Sequence, residues 1–125
     1  MHLISRRTHG VLDYVVGAVL ILSPRIFGFD PEAAESHVPV LLGVAAVVYS
    51  VFTRYELGVV RLLPFRAHLA LDLLNGMLLT ASPWLFGFAD RVWAPHAVLG
   101  LVELGAVCMT RAGVHTDHVG TPAHT

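Results

Sequence analysis

The sequence predicts an all-α integral membrane protein, a four-helix bundle made of two tandem two-helix repeats. Two observations predict this fold class. Of the 125 residues, 55% are hydrophobic and 14% are charged, and the mean hydropathy is +0.68, whereas a soluble domain carries about 25% charged residues. The second observation is a pattern of residues that occurs twice, and an internal repeat indicates the architecture before any single motif is interpreted.

The repeated pattern begins with a histidine, an aspartate and a glycine spaced four residues apart. In the first copy these are His9, Asp13 and Gly17, and each recurs 59 positions later, as His68, Asp72 and Gly76. The second half of the unit recurs at an offset of 57 positions, in the pairs Gly43/Gly100, Thr53/Thr110 and Arg54/Arg111. The shorter offset predicts a shorter connecting loop in the second copy.

Four apolar segments supply the predicted helices, over about 9–22 (extending toward 29), 38–53, 65–81 and 95–110. Each segment is short, because crossing ~30 Å of hydrocarbon takes roughly 20 helical residues. The apolar flanks supply the missing length. A soluble bundle helix needs a polar stripe, and the second segment has none, which favours membrane insertion.

A serine–proline pair follows each first helix of a repeat, Ser23-Pro24 in the first copy and Ser82-Pro83-Trp84 in the second. Proline lacks an amide hydrogen and clashes with the preceding turn, so each pair is predicted to kink or end its helix. The serine hydroxyl is predicted to bond a carbonyl that the proline leaves without a partner. The glycine four residues after each proline permits a turn toward the next helix.

The predicted domain organisation is a single membrane domain over residues 1–112, followed by a polar, disordered cytoplasmic tail over residues 113–125. Repeat one covers about 4–56 and repeat two about 63–111.

The placement of arginine predicts the orientation in the membrane. Under four crossings, six of the eight arginines fall on one side, namely Arg6, Arg7, Arg54, Arg61, Arg66 and Arg111. Positively charged residues favour the cytoplasmic side, so both termini and the central loop are predicted to be cytoplasmic. Both repeats then point the same way, related by a pseudo-twofold axis along the membrane normal.

A net charge of −1 without a basic run gives no reason to expect nucleic acid as a partner.

Two copies of a two-span unit with Ser-Pro-Trp after its first helix resemble the SPW-repeat membrane proteins of bacteria. The resemblance extends over residues 4–111. Ser82-Pro83-Trp84 matches the motif in full, whereas Arg25 takes the place of tryptophan in the first copy. The resemblance implies a small protein of the bacterial cytoplasmic membrane, and it provides no catalytic positions to transfer.

The candidate functional residues are the ionisable groups within the predicted spans. A carboxylate in a span costs roughly 2.5–3.5 kcal/mol on insertion scales, so it usually has a partner or a task. Each aspartate of the repeat shares a helix face with the histidine four residues before it. We favour a structural interpretation, in which each aspartate accepts bonds from its own repeat's histidine and from Arg54 or Arg111, the arginine that ends the partner span. The protein would then be a non-enzymatic structural or accessory membrane component.

Two alternatives use the same residues. His9 and His68 could bind haem as an axial pair, or hold a divalent metal ion together with Asp13 and Asp72, although no cofactor is predicted under the favoured interpretation. The other alternative is a small proton-coupled transporter in which Asp13, Asp72 and Glu103 titrate. Besides the lipid bilayer, a homodimer or a membrane partner protein is an expected partner, because four short spans bury few side chains.

Overall fold

The computed structural model describes the backbone of residues 3–120 and the side chains of residues 3–110. The chain forms four helices in this part: α1 (Arg6–Phe27), α2 (Ala34–Val51), α3 (Phe65–Leu85) and α4 (Ala94–Gly120). The all-helical prediction is therefore confirmed, and each helix begins within four residues of the segment that predicted it. The predicted disordered tail begins at residue 113, but the backbone of α4 stays helical to Gly120; residues 121–125 of that tail lie outside the described part.

Helix α1 begins three residues before its apolar segment because a polar cap precedes it. The Ser5 hydroxyl accepts a hydrogen bond from the Thr8 amide at 3.1 Å, which satisfies one of the free amides of the first turn. The helix ends at Gly28, whose φ of 71° is left-handed and whose amide bonds the Pro24 carbonyl. Glycine adopts this conformation without steric cost, so it allows the chain to turn toward α2.

The two serine–proline pairs lie inside their helices rather than at the ends. Helix α1 continues to Phe27 beyond its proline. The carbonyl that Pro24 leaves without an amide partner is that of Leu20, and the Ser23 hydroxyl donates to it at 2.7 Å. The predicted role of the serine therefore holds. The same bond recurs in α3, also at 2.7 Å, with Ser82, Pro83 and Leu79 as its members.

Helix α1 packs chiefly against α2, and α3 against α4, with smaller contacts between α2 and α3 and between α1 and α4. Glycines let each major pair approach closely. A Cβ added at Gly43 would lie 2.9 Å from the Gly17 carbonyl oxygen, and one added at Gly100 would lie 2.8 Å from the Gly76 carbonyl oxygen. Small residues at these crossings allow backbone-to-backbone packing.

The apolar side chains of this protein cover its outside to an unusual extent. Large exposed apolar side chains follow helical spacing on all four helices, including Val11, Val15, Leu22 and Ile26; Leu41, Val44 and Val48; Leu71, Leu74 and Leu78; and Val98 and Leu101. Helices α1 and α2 are long and apolar enough to cross a membrane, and only 22% and 33% of their apolar windows are buried. The core helix of a soluble protein would be mostly buried, so these helices resemble membrane spans.

At the end of the molecule that carries the serine–proline pairs, the two halves are joined by an ion pair. Arg91 donates to both carboxylate oxygens of Glu35, at 2.9 and 3.2 Å, and these bonds raise the pKa of the Arg91 guanidinium. The His96 ring donates from Nε2 to the Glu35 carbonyl at 2.8 Å and packs on the fully buried Phe88 ring at 4.8 Å. These contacts fix the start of α2 against the α3–α4 loop.

Candidate functional site

Four buried or nearly buried side chains from α1 and α3 converge on one point, and we call them the His–Asp cluster: His9, Asp13, His68 and Asp72. Within each helix, the histidine Nε2 lies 3.1 Å from the carboxylate four residues later. The contacts between helices are shorter. His9 Nε2 lies 2.6 Å from Asp72 Oδ2, and His68 Nε2 lies 2.8 Å from Asp13 Oδ2. Each aspartate therefore contacts both histidines.

A threonine from each repeat holds the far side of the opposite repeat's histidine. His68 Nδ1 lies 2.7 Å from the Thr53 hydroxyl, and His9 Nδ1 lies 2.8 Å from the Thr110 hydroxyl. The Thr53 hydroxyl also donates to the Tyr49 carbonyl at 2.6 Å. A hydroxyl has one hydrogen to donate, so Thr53 accepts from His68, and Nδ1 of that ring carries a proton.

Two tyrosines complete the bonding of the carboxylates. Tyr49 of α2 donates to Asp72 Oδ1, and Tyr55 donates to Asp13 Oδ2 at 3.0 Å. Burial raises the pKa of the Tyr55 phenol above its ordinary value, and the adjacent Asp13 carboxylate adds to the shift. The phenol therefore stays protonated and acts as a donor. Sequence reasoning missed Tyr55. The available signal was a difference between the repeats, because the second repeat carries no tyrosine at the matching position.

The structure corrects the predicted role of Arg54. The Arg54 backbone amide donates to the Leu63 carbonyl at 2.7 Å, and the Leu63 amide donates to the Phe52 carbonyl at 2.6 Å. These bonds close residues 52–64 into a loop. This loop directs Thr53 and Tyr55 inward and leaves Arg54 exposed. Among the described residues, neither aspartate of the cluster pairs with an arginine. The side chain of Arg111, the matching residue of the second repeat, lies outside the described part.

Glu103 reaches the cluster from α4. Its side chain is buried, and its Oε1 has no hydrogen-bond partner among the described residues. It lines a cavity of about 20 Å³, which also touches His9, Asp13 and Asp72. The cavity exists because Ala106 stands where the first repeat has Tyr49, so no ring fills this side of the cluster.

Comparison with known proteins identifies a family for this chain. A family model described as the SPW repeat domain matches residues 7–110. The chain belongs to the SPW repeat family. The match includes both copies of the pattern and every member of the His–Asp cluster. No curated protein and no solved structure matches this SPW repeat protein, so the residue roles rest on the geometry above.

The motif that gives the family its name lies away from the cluster. Ser23 and Ser82 are fully occupied with the helix carbonyls described above, whereas Trp84 is exposed and its ring lies 6.1 Å from that of Trp93. Arg25, which replaces the tryptophan of the first copy, is also exposed. In this SPW repeat protein the serines of the motif bond carbonyls of the last turns of α1 and α3, and the motif carries no polar group into the cluster.

Tyr49→Phe tests whether the tyrosines contribute to the cluster. The substitution removes the donor to a buried carboxylate oxygen while keeping the ring, and we expect a loss of about 1–3 kcal/mol in the free energy of unfolding. Tyr14→Phe is the matched control, because Tyr14 donates to an uncharged acceptor, the Leu57 carbonyl; about 0.5–1.5 kcal/mol is expected there. Denaturation in mild detergent measures both, and equal losses would contradict the assignment.

Proposed function

We propose that this SPW repeat protein is a non-enzymatic structural or accessory component of the bacterial cytoplasmic membrane, with the lipid bilayer as its main partner. All four helices cross the bilayer. Both termini and residues 52–64 lie on the cytoplasmic side. The buried His–Asp cluster ties the two repeats together within the membrane.

Insertion in the membrane is supported by the distribution of polarity. Apolar side chains cover the outward faces of all four helices, while many of the buried residues are polar, among them His9, His68, Asp72, Ser50 and Asn75. Soluble proteins rarely expose contiguous apolar surface on this scale. In lipid the same arrangement is favourable, because intramembrane ionisable groups face the interior and pair with one another.

A pseudo-twofold relation between the repeats is supported by reciprocal contacts. The histidine of each repeat bonds the threonine and approaches the aspartate of the other, and the paired distances differ by 0.1 to 0.2 Å (2.7 against 2.8 Å, and 2.6 against 2.8 Å). An isologous interface produces such exchanges, in which residue i contacts j and j contacts i. Since the serine–proline pairs share one end of the molecule, we place the axis along the membrane normal.

The observation that carries the proposed role is that the cluster's bonds reach all four helices. The aspartates and histidines come from α1 and α3, Tyr49 comes from α2, and Thr110 comes from α4. A single buried network therefore connects elements whose remaining contacts are chiefly pairwise. Hydrogen bonds in a low-dielectric interior are stronger than in water and are directional, which suits a network that fixes the relative position of two repeats.

A haem axial pair does not fit this geometry. The two imidazole centroids are 5.5 Å apart with the rings nearly perpendicular, and carboxylate oxygens lie beside both Nε2 atoms. The adjoining cavity of about 20 Å³ holds roughly one water molecule, far less than a porphyrin requires.

The membrane topology tests the proposal. The exposed native Cys108 is first replaced by serine. Single cysteines are then introduced at two exposed positions, Arg61 in the central loop and Asp90 in the α3–α4 loop. In intact spheroplasts we expect a membrane-impermeant maleimide to label Asp90→Cys at once, and Arg61→Cys only after the membrane is opened. The protein should stay in the membrane fraction after an alkaline carbonate wash.

Labelling of both positions in intact cells, or extraction by carbonate, would refute the proposal.

A proton-coupled role is the second candidate, because Glu103 faces the same cavity as Asp13 and Asp72. Proteoliposomes loaded with a pH-sensitive dye separate the two roles. The accessory role gives no proton flux above that of protein-free vesicles, whereas transport gives a flux that Glu103→Gln abolishes.

A further inference from the structure

We propose that the His–Asp cluster binds one divalent transition-metal ion, with Nε2 of His9, Nε2 of His68 and one oxygen each of Asp13 and Asp72 as ligands. This rests on the proposed function and deepens it. It identifies the positive charge that holds two buried carboxylates together as a metal ion rather than as protons on the imidazole rings.

The four ligand atoms already have nearly the spacing of a metal site. One donor atom from each residue lies within 4.8 Å of all the others. The nitrogen–oxygen contacts are 2.6 to 3.1 Å, and in them Asp72 uses Oδ2 toward both histidines whereas Asp13 turns Oδ1 to His9 and Oδ2 to His68. Bonds of 2.0–2.2 Å in a tetrahedral zinc site put neighbouring ligand atoms roughly 3.3 Å apart. An outward shift of about half an ångström per contact would admit the ion.

The second observation concerns His68 Nε2. This atom is completely buried, and it forms no hydrogen bond of acceptable geometry with any described group. Its neighbours at 2.8 and 3.1 Å are oxygens of Asp13 and Asp72. Since Nδ1 of the same ring carries the proton shared with Thr53, a neutral ring would direct its Nε2 lone pair at two carboxylates. That contact is repulsive unless a positive charge lies there, either a second ring proton or the metal ion that we propose.

The surroundings of the cluster are those of a metal site. Ligating histidines usually donate their other ring nitrogen to an oxygen, which fixes the tautomer, and ligating carboxylates are themselves hydrogen-bonded. Here the Thr53 and Thr110 hydroxyls bond the rings, and Tyr49 and Tyr55 bond the carboxylates. Two carboxylates and one divalent ion are neutral together, so the metal form leaves no net charge in the buried site.

The type of ion follows from the ligands. Imidazole suits zinc, copper, iron and nickel, whereas sites made of oxygen alone suit magnesium and calcium. Two imidazoles with two carboxylates therefore favour zinc or a neighbouring first-row ion. The Glu103 carboxylate lines the cavity beside the cluster together with His9, Asp13 and Asp72.

The test uses the full-length chain without an affinity tag, purified in mild detergent, with Zn²⁺ and Co²⁺ as probes. We expect one equivalent of bound zinc per chain by mass spectrometry after desalting. Replacement by Co²⁺ should give the intense visible absorption of a tetrahedral site. Chelation should lower the melting temperature of the protein, and added Zn²⁺ should restore it.

Two sets of variants assign the ion to the cluster. The variant His9→Gln/His68→Gln should lose both the zinc and the cobalt spectrum. The matched control replaces three histidines that do not belong to the cluster, His115, His118 and His124, with glutamine and should keep one equivalent. Tyr49→Phe retains all four ligands, so it should bind zinc while losing stability, which keeps the test valid if the double variant fails to fold.

Absence of stoichiometric zinc in the wild-type chain, together with a melting temperature that neither chelator nor Zn²⁺ changes, would overturn the metal proposal. Zinc that disappears with the three C-terminal histidines would overturn it equally. Neither result touches the bracing role, which fails separately if substitutions of the cluster aspartates leave thermal stability unchanged.

Discussion

Replacing Asp72 with asparagine is expected to destabilise the protein by about 3–5 kcal/mol, the usual cost of removing one partner from a buried charge pair. Asp72 is 4% exposed. Its carboxylate contacts both histidines and accepts the bond from Tyr49. Asparagine keeps the shape of the side chain but removes its negative charge. The positive charge at His9 and His68 is then balanced by one carboxylate instead of two. Thermal unfolding in detergent should show the loss as a fall of roughly 10–25 °C in melting temperature.

Asp90→Asn is the matched control for this prediction. Asp90 is an exposed aspartate in the α3–α4 loop, and exposed charges contribute little to stability. The melting temperature of the Asp90→Asn variant should therefore stay close to that of the wild type.

Asp13→Asn should resemble Asp72→Asn because the contacts are reciprocal. The double variant should cost less than the sum of the two single variants, since residues of one network are not independent. Full additivity would show that the two aspartates do not share a cluster.

The sequence was sufficient to predict the helices and to single out the histidines and aspartates of the cluster as candidates, because both depend on short-range periodicity. A histidine and an aspartate four residues apart must share a helix face, and the repeat gives two such faces. Periodicity does not say which other face each one meets. His9 approaches Asp72 more closely than Asp13, and such a contact depends on helix packing that no spacing within one segment encodes.

The error over Arg54 and the omission of Tyr55 have one physical cause. Arginine was expected to pair with the aspartate because its long side chain can reach from a helix end and its charge is opposite. The loop after α2 instead closes on itself through backbone hydrogen bonds. This closure turns Thr53 and Tyr55 toward the cluster and Arg54 toward the outside. Neutral donors then bond the carboxylates without the desolvation cost of bringing a guanidinium charge into the interior.

The differences between the repeats proved as informative as their likeness. Glu103 has Ala46 as its counterpart, and Tyr49 has Ala106, and three of these four residues line the cavity beside the cluster. Substitution of a large ring by a methyl group opens space on one side of an otherwise symmetric site, and the carboxylate faces that space. An asymmetric feature of this kind can be located by aligning the two halves, but its consequence requires the packed structure.

The second large effect is expected from adding a single methyl group at Gly100. In Gly100→Ala the new Cβ would lie 2.7 Å from the Thr80 amide nitrogen and 2.8 Å from the Gly76 carbonyl oxygen. Both neighbours are backbone atoms of α3, so no side-chain rotation relieves the contact and the two helices must separate. Overpacking of this kind costs about 1–3 kcal/mol and occasionally more, and we expect the upper end of that range in a detergent unfolding experiment.

Gly105→Ala provides an unusually close control, because it is the same substitution one and a half turns later in α4. A Cβ at Gly105 meets nothing within 4 Å, and alanine is favoured over glycine inside a helix by roughly 0.5–1 kcal/mol. The two variants should therefore shift the melting temperature in opposite directions. If both were stabilising, the close α3–α4 crossing would be wrong. The reciprocal contacts of the cluster would then lose their basis too, because the position of Thr110 against His9 depends on how α4 packs on α3.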